Sequence, residues 1–326
     1  MLLITLVSLL QVLAFSQPNP DARHELTIFV IPSAVEYDWS SPHSLYHTYK
    51  LNYIKNIFKK EKYILGHAFV EIRSPIVNDR LLTGMRSCGR EQQRDLVLHE
   101  KYGLTILGMD LQGRLELHDD LAEKVENYSR KGDLAFIRVL IGEGTVHRLM
   151  EFLEKYEQRL DSLGNPGPWY GGAFYPRYYG EGSGCSAFVI SFLDLAGVLQ
   201  EEFHNWNIDI NIPMDLLGGP INGNHQVKLS SIRKSREWSS ISETAGKDYE
   251  PFMIYDPTLI FNWINVKHDQ PDTSGNLPWK PVTHNKSKGI EIDARHIPVP
   301  SEPIFMHRKN PTIFTDYFIQ TNWSGE

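Results

Sequence analysis

Residues 180–198, GEGSGCSAFVISFLDLAGV, constrain the chain more than any other stretch. Three small residues, Gly182, Ser183 and Gly184, lead into Cys185. An apolar run with helical spacing follows (Phe188, Val189, Phe192, Leu193, Leu195, Ala196), and Gly197 stands where a helix would stop. This pattern puts a cysteine at a helix N-terminus, where free backbone N–H groups and the helix dipole favour thiolate over thiol. Upstream glycines let a substrate backbone come close. Cys185 is therefore a candidate nucleophile, and it needs a base.

The best candidate base lies in 62–73, KYILGHAFVEIR, a β-rich run. Period-2 alternation places His67, Phe69 and Glu71 on one face and Ala68, Val70 and Ile72 on the other. A histidine that opens a buried strand next to Gly66, which leaves room for another group, is placed to take a proton from a thiol. The histidine comes first and the cysteine 118 residues later.

With that order, the pieces Gly66-His67-Ala68-Phe69-Val70 and Gly184-Cys185-Ser186-Ala187-Phe188-Val189 resemble the circularly permuted branch of the NlpC-type papain-like hydrolases. Relatives of the lecithin–retinol acyltransferases belong to the same branch. The resemblance covers two short motifs within about residues 26–200. It implies an α+β fold with a papain-like core, in which an antiparallel sheet packs against the cysteine-bearing helix. It also implies thiol chemistry on an acyl group, with Cys185 as nucleophile and His67 as base. The third polar residue of such a site comes from the strand paired with the histidine strand, here 80–87, RLLTGMRS. Thr83 is the nearest polar match, with Asp79 or Ser87 in its place if the register slips. The family's usual histidine, glutamate or asparagine is missing there. Glu71 shares the His67 face, but four residues along a strand is about 13 Å, beyond direct hydrogen bonding.

Between the helix expected over 146–160, with Thr145 as N-cap, and the cysteine helix lies a glycine-rich aromatic loop, 163–184. Loops of this length inside compact folds are often functional. Trp169, Tyr170 and Tyr179 are the candidate substrate-binding residues, as a wall for a peptide, glycan or acyl chain. The alternative is that the loop's aromatics cover the sheet and pin the loop. One of its tyrosines is also a candidate oxyanion donor beside the Cys185 N–H.

Composition, 41% hydrophobic and 22% charged over 326 residues, is that of an ordinary globular protein, and a net charge of −7 argues against nucleic acid as partner. Residues 1–15, MLLITLVSLLQVLAF, read as a signal peptide, with Ala14-Phe15-Ser16 as the cleavage site. That reading gives a secreted or periplasmic protein with no membrane span after cleavage. Its boundaries are 1–16 for the signal peptide, 17–211 for the catalytic domain and 212–326 for a proline-rich extension or small second domain. The last part holds eleven of the nineteen prolines, so it is expected to be irregular and β-rich, with strand-like pieces at 226–232 and 252–255.

An oxidising compartment opens one alternative: Cys88 and Cys185, the two cysteines, form a disulfide, and the protein is a non-enzymatic envelope binding protein. His43 and His47 stand four apart on an expected helix from Pro42, but no third ligand accompanies them, and neither a metal nor a cofactor is assigned. The leading expectation is a cysteine peptidase or amidase acting on a peptide or cell-envelope substrate. Acyl transfer at the same site is the alternative.

Overall fold

The computed structural model describes residues 23–59, 65–116, 118–199, 201–271 and 277–323. The expected signal peptide, 1–16, lies outside the described residues. The fold is mixed α+β. Its centre is a six-stranded sheet in the order β10-β11-β6-β1-β2-β3, made of β1 (Glu25–Ile31), β2 (His67–Ser74), β3 (Asp79–Thr83), β6 (Ala135–Leu140), β10 (Trp279–His284) and β11 (Ser287–Asp293). Neighbours run antiparallel except β11 and β6, which are parallel. A second sheet of three strands is ordered β4 (Met85–Ser87), β5 (Leu111–Leu115), β7 (Gly167–Tyr170), and β8 (Asn207–Pro213) pairs with β9 (Tyr249–Tyr255).

Alternation along the central strands sorts the core into two layers. Leu26, Ile28 and Val30 of β1, with Ala68, Val70 and Ile72 of β2, face one side. There they join α4 (Glu143–Ser162), α5 (Cys185–Leu195) and α7 (Pro257–Asp269) through Leu149, Phe152, Phe188, Phe192 and Ile260. Phe29, Ile31, Phe69 and Phe136 face the other side, covered by Leu121 and Val125 of α3 (His118–Lys131). The sequence pattern of β2 is thus the burial pattern: one stripe to each layer.

Some expected elements differ. Residues 103–109, GLTILGM, suggest a strand by their apolar run but hold a 3-10 turn over Leu104–Leu107. The helix after β6 starts at Glu143 with Gly142 as N-cap, three residues earlier than Thr145 suggests. The last third carries more helix than its prolines suggest: α6 (Leu229–Lys234), α7 and α8 (Ile313–Trp323). Proline sits at the first position of α7, where its missing N–H costs nothing, and Asp256 caps that end by accepting from Thr258 N–H at 2.7 Å. Residues expected as an extension or small second domain also lie in the main body. β11 hydrogen-bonds to β6, and Phe318 of α8 packs on Trp169 and Phe174.

Candidate active site

Helix α5 begins at Cys185, with Gly184 as an extended N-cap whose residue type offers no side-chain cap. The first ladder bond is Phe188 N–H to the Gly184 carbonyl, so the N–H groups of Cys185, Ser186 and Ala187 lie outside the ladder. At the other end, Gly197 N–H donates to Asp194 and Val198 N–H to Leu193, the double closure of a Schellman motif. The helix packs on β2, the strand that His67 opens. Just before it, Gly66 has φ +74°, and a Cβ there would sit 2.8 Å from the Ile31 carbonyl. Only glycine suits both constraints.

Across the site, β7 approaches because the chain before Cys185 lies against it. Ser183 N–H donates to the Trp169 carbonyl at 2.8 Å, and a Cβ on Gly182 would fall 2.0 Å from the same oxygen. Tyr170, the next residue, is thereby brought to the sulfur. The Cys185 thiol is hydrogen-bonded to the His67 ring and to the Tyr170 hydroxyl, and it also accepts from the Ala68 N–H. His67 Nε2–H donates to Glu116 Oε2, and Lys124 Nζ of α3 donates to Glu116 Oε1. Nδ1 is left as the ring nitrogen that can serve the sulfur. The exposures are 7% for Cys185, 2% for His67, 6% for Glu116 and 7% for Lys124, so the whole chain of groups is shielded from bulk water.

That shielding sets the protonation states. Burial alone disfavours the His67 imidazolium, but the Glu116 carboxylate and the sulfur outweigh it and push the ring up to about 9. Burial also disfavours the thiolate, yet His67, Tyr170 and the Ala68 N–H hold Cys185 below the ordinary thiol range, and the helix dipole acts in the same direction. Glu116 is opposed by burial and drawn down to about 2 by His67 and then Lys124. Burial, followed by the adjacent sulfur, pushes the Tyr170 phenol well up, so it stays a donor. These shifts favour a thiolate beside an imidazolium, with an ionised carboxylate behind the ring.

Of the residues singled out from sequence, Cys185, His67 and Tyr170 come together. Thr83 does not stand at the ring: it pairs with Val70, three residues along β2 from His67, and the carboxylate against the ring belongs to Glu116. Glu116 follows β5, and its N–H donates to the Gly84 carbonyl at 2.8 Å, which turns its side chain toward His67. Trp169 is fully buried, its indole donating to the Leu160 carbonyl at 2.9 Å, which is a core placement. Tyr179 is 51% exposed and lies tilted against the His307 ring with centroids 4.7 Å apart. It lines a surface hollow of about 530 Å³ with Arg159, Arg308 and Trp323. A second hollow lies by Tyr37, Trp39, Ile208 and Leu259. Cys88 and Cys185 are both free thiols, Cys88 exposed. His43 Nδ1 is hydrogen-bonded to the Arg233 carbonyl at 2.6 Å, and no group of three metal-ligating side chains occurs among the described residues.

The chain matches no protein-family model, no curated protein and no solved structure. No helix among the described residues is long and apolar enough to cross a membrane.

Proposed function

We propose that the protein is a thiol hydrolase of papain-like design, in circularly permuted order, that cleaves an amide bond as a peptidase or amidase. One observation carries the reading: a buried cysteine at a helix N-terminus is hydrogen-bonded to a histidine whose other ring nitrogen is held by a carboxylate. The Cys185 thiolate attacks the carbonyl carbon, and N–H groups of the first turn of α5 hold the oxyanion. The His67 imidazolium gives its proton to the leaving amine as the C–N bond breaks. Water, deprotonated by the now neutral His67, then attacks the acyl-enzyme and releases the acid. Tyr170, already a donor to the sulfur, can turn its hydroxyl toward the oxyanion as negative charge moves from sulfur to oxygen. An amide of a cell-envelope peptide is the leading substrate class, in keeping with an N-terminal stretch that reads as an export signal; secretion or a periplasmic location belongs to the same proposal. An alcohol or amine in place of water makes the same site an acyltransferase. The binding-protein alternative rested on a Cys88 to Cys185 disulfide, and two free thiols speak against it.

The test is turnover of a panel of peptide amides and peptidoglycan fragments by the wild-type protein and by Cys185→Ala, before and after iodoacetamide and EDTA. Hydrolysis that ignores EDTA and disappears with either the substitution or the alkylation supports the reading. Hydrolysis that survives loss of the Cys185 sulfur overturns it.

A further inference from the structure

Glu116 is shared. One oxygen faces His67 and the other faces Lys124, a lysine of α3 that is nine-tenths buried and spends its charge on this carboxylate. A buried lysine is costly unless paired, and apolar packing of α3 alone does not call for one at this place. We infer that Lys124 is a positioning residue for the proposed thiol chemistry: it divides the Glu116 carboxylate with His67, so that the ring keeps its orientation without being locked as an imidazolium.

The lysine acts electrostatically. A buried carboxylate with one cationic neighbour resists losing it, because deprotonating the ring would leave an uncompensated buried anion. With Lys124 in place, Glu116 remains balanced when the proton leaves, and His67 can pass it to a leaving group. The titratable groups that act on the ring are Glu116 from the end of β5 and Cys185 from α5; Tyr170 of β7 stands at the sulfur, and Lys124 of α3 acts through Glu116. Removing Lys124 takes away a positive charge that competes with the imidazolium. Removing the Glu116 charge takes away the imidazolium's main partner. The two changes therefore move His67 in opposite directions.

The experiment is a pH titration of the His67 ring by NMR of histidine-labelled full-length protein, the resonance assigned by its loss in His67→Gln. Lys124→Met should raise the pH at which His67 loses its proton by about one unit or more, and Glu116→Gln should lower it by a similar amount. Lys124→Arg, which keeps the charge, should stay near wild type. A Lys124→Met ring that titrates with or below wild type overturns the inference. If the methionine variant does not fold, Lys124→Gln, which keeps a donor for Glu116, takes its place with the same expected sign. The inference rests on the proposed function, and the two fail separately. A wild-type His67 that is neutral at pH 7 removes the thiolate pair itself, whereas a wild-type imidazolium unaffected by Lys124 removes only the role of the lysine.

Discussion

Two buried glutamates flank the cysteine helix, and they are held in different ways. Glu116 is bound by a histidine and a lysine, next to a thiol and a phenol. Glu181, four residues before Cys185, is bound by Arg308 through both oxygens at 2.6 Å and accepts the Tyr175 N–H at 3.0 Å. Arg308 also lies over the Tyr178 ring, and Arg159 donates to the Pro176, Tyr178 and Glu181 carbonyls. Arginine does not release its proton at any working pH, so the second cluster is a clamp that fixes the loop ahead of α5. Histidine and cysteine exchange protons near neutrality, so the first cluster can do chemistry. Equal burial of a carboxylate thus serves two purposes, and the partner's acidity decides which.

Substitutions can break that contrast. The largest effect is expected from Cys185→Ala, which should abolish turnover while leaving the thermal midpoint within a few degrees of wild type. Next, Glu116→Gln should lower kcat/KM by about a hundredfold or more, as the ring loses orientation and charge support. The same variant should change stability as a function of pH. With its ring pushed up to about 9, His67 contributes stability that is fully present below the unfolded value near 6.5 and is lost as pH rises through 9. In Cys185→Ala, where the opposite contribution of a thiolate is absent, urea denaturation between pH 6 and 9.5 should therefore show a decline, and adding Glu116→Gln to that variant should flatten it. A decline of equal size in both would detach the ring from its carboxylate.

Arg308→Ala should act on the other cluster. Glu181 is 2% exposed and would be left without its cation, so about 3 kcal/mol of stability should be lost by urea denaturation, with the pH dependence of turnover unmoved. A shifted pH profile in this variant would mean that the two clusters are not separate. The smallest effect belongs to Thr83→Val, expected to change turnover by about twofold at most, because the side chain lies opposite Val70 and not at the ring.

The sequence carried the parts of the site that depend on local pattern. Gly-His at a strand start and Gly-Cys at a helix start are readable because each residue's setting is made by its neighbours: β2 by alternation, α5 by apolar spacing and a closing glycine. Glu116 was not readable, since its role comes from a cross-strand register, Met85 opposite Leu115, and from a bond between its own N–H and Gly84. It stood among several acidic residues with nothing local to mark it. Lys124 had the same disadvantage: it stands eight residues from Glu116, a separation that marks no helical side-chain pair, and the docking of α3 onto Phe29 and Phe69 buries it. The helix at 257–269 had a signal that β-propensity masked. Ile, Phe, Trp and Val suggest a strand, while Asp256 followed by Pro257 is a helix start. The aromatic loop divided as neither simple reading required, with Trp169 and Phe174 in the core and Tyr170 at the sulfur.

The most direct test of the account is the rate of iodoacetamide alkylation at Cys185 as a function of pH, read by peptide mass spectrometry with exposed Cys88 as the reference in the same sample. A thiolate held by His67 should keep Cys185 reactive well below pH 7, and His67→Gln should remove that low-pH reactivity. If Cys185 reacts only as an ordinary thiol does, with a midpoint near about 8.5 and no response to His67, the sulfur and the imidazole are neighbours without being a pair.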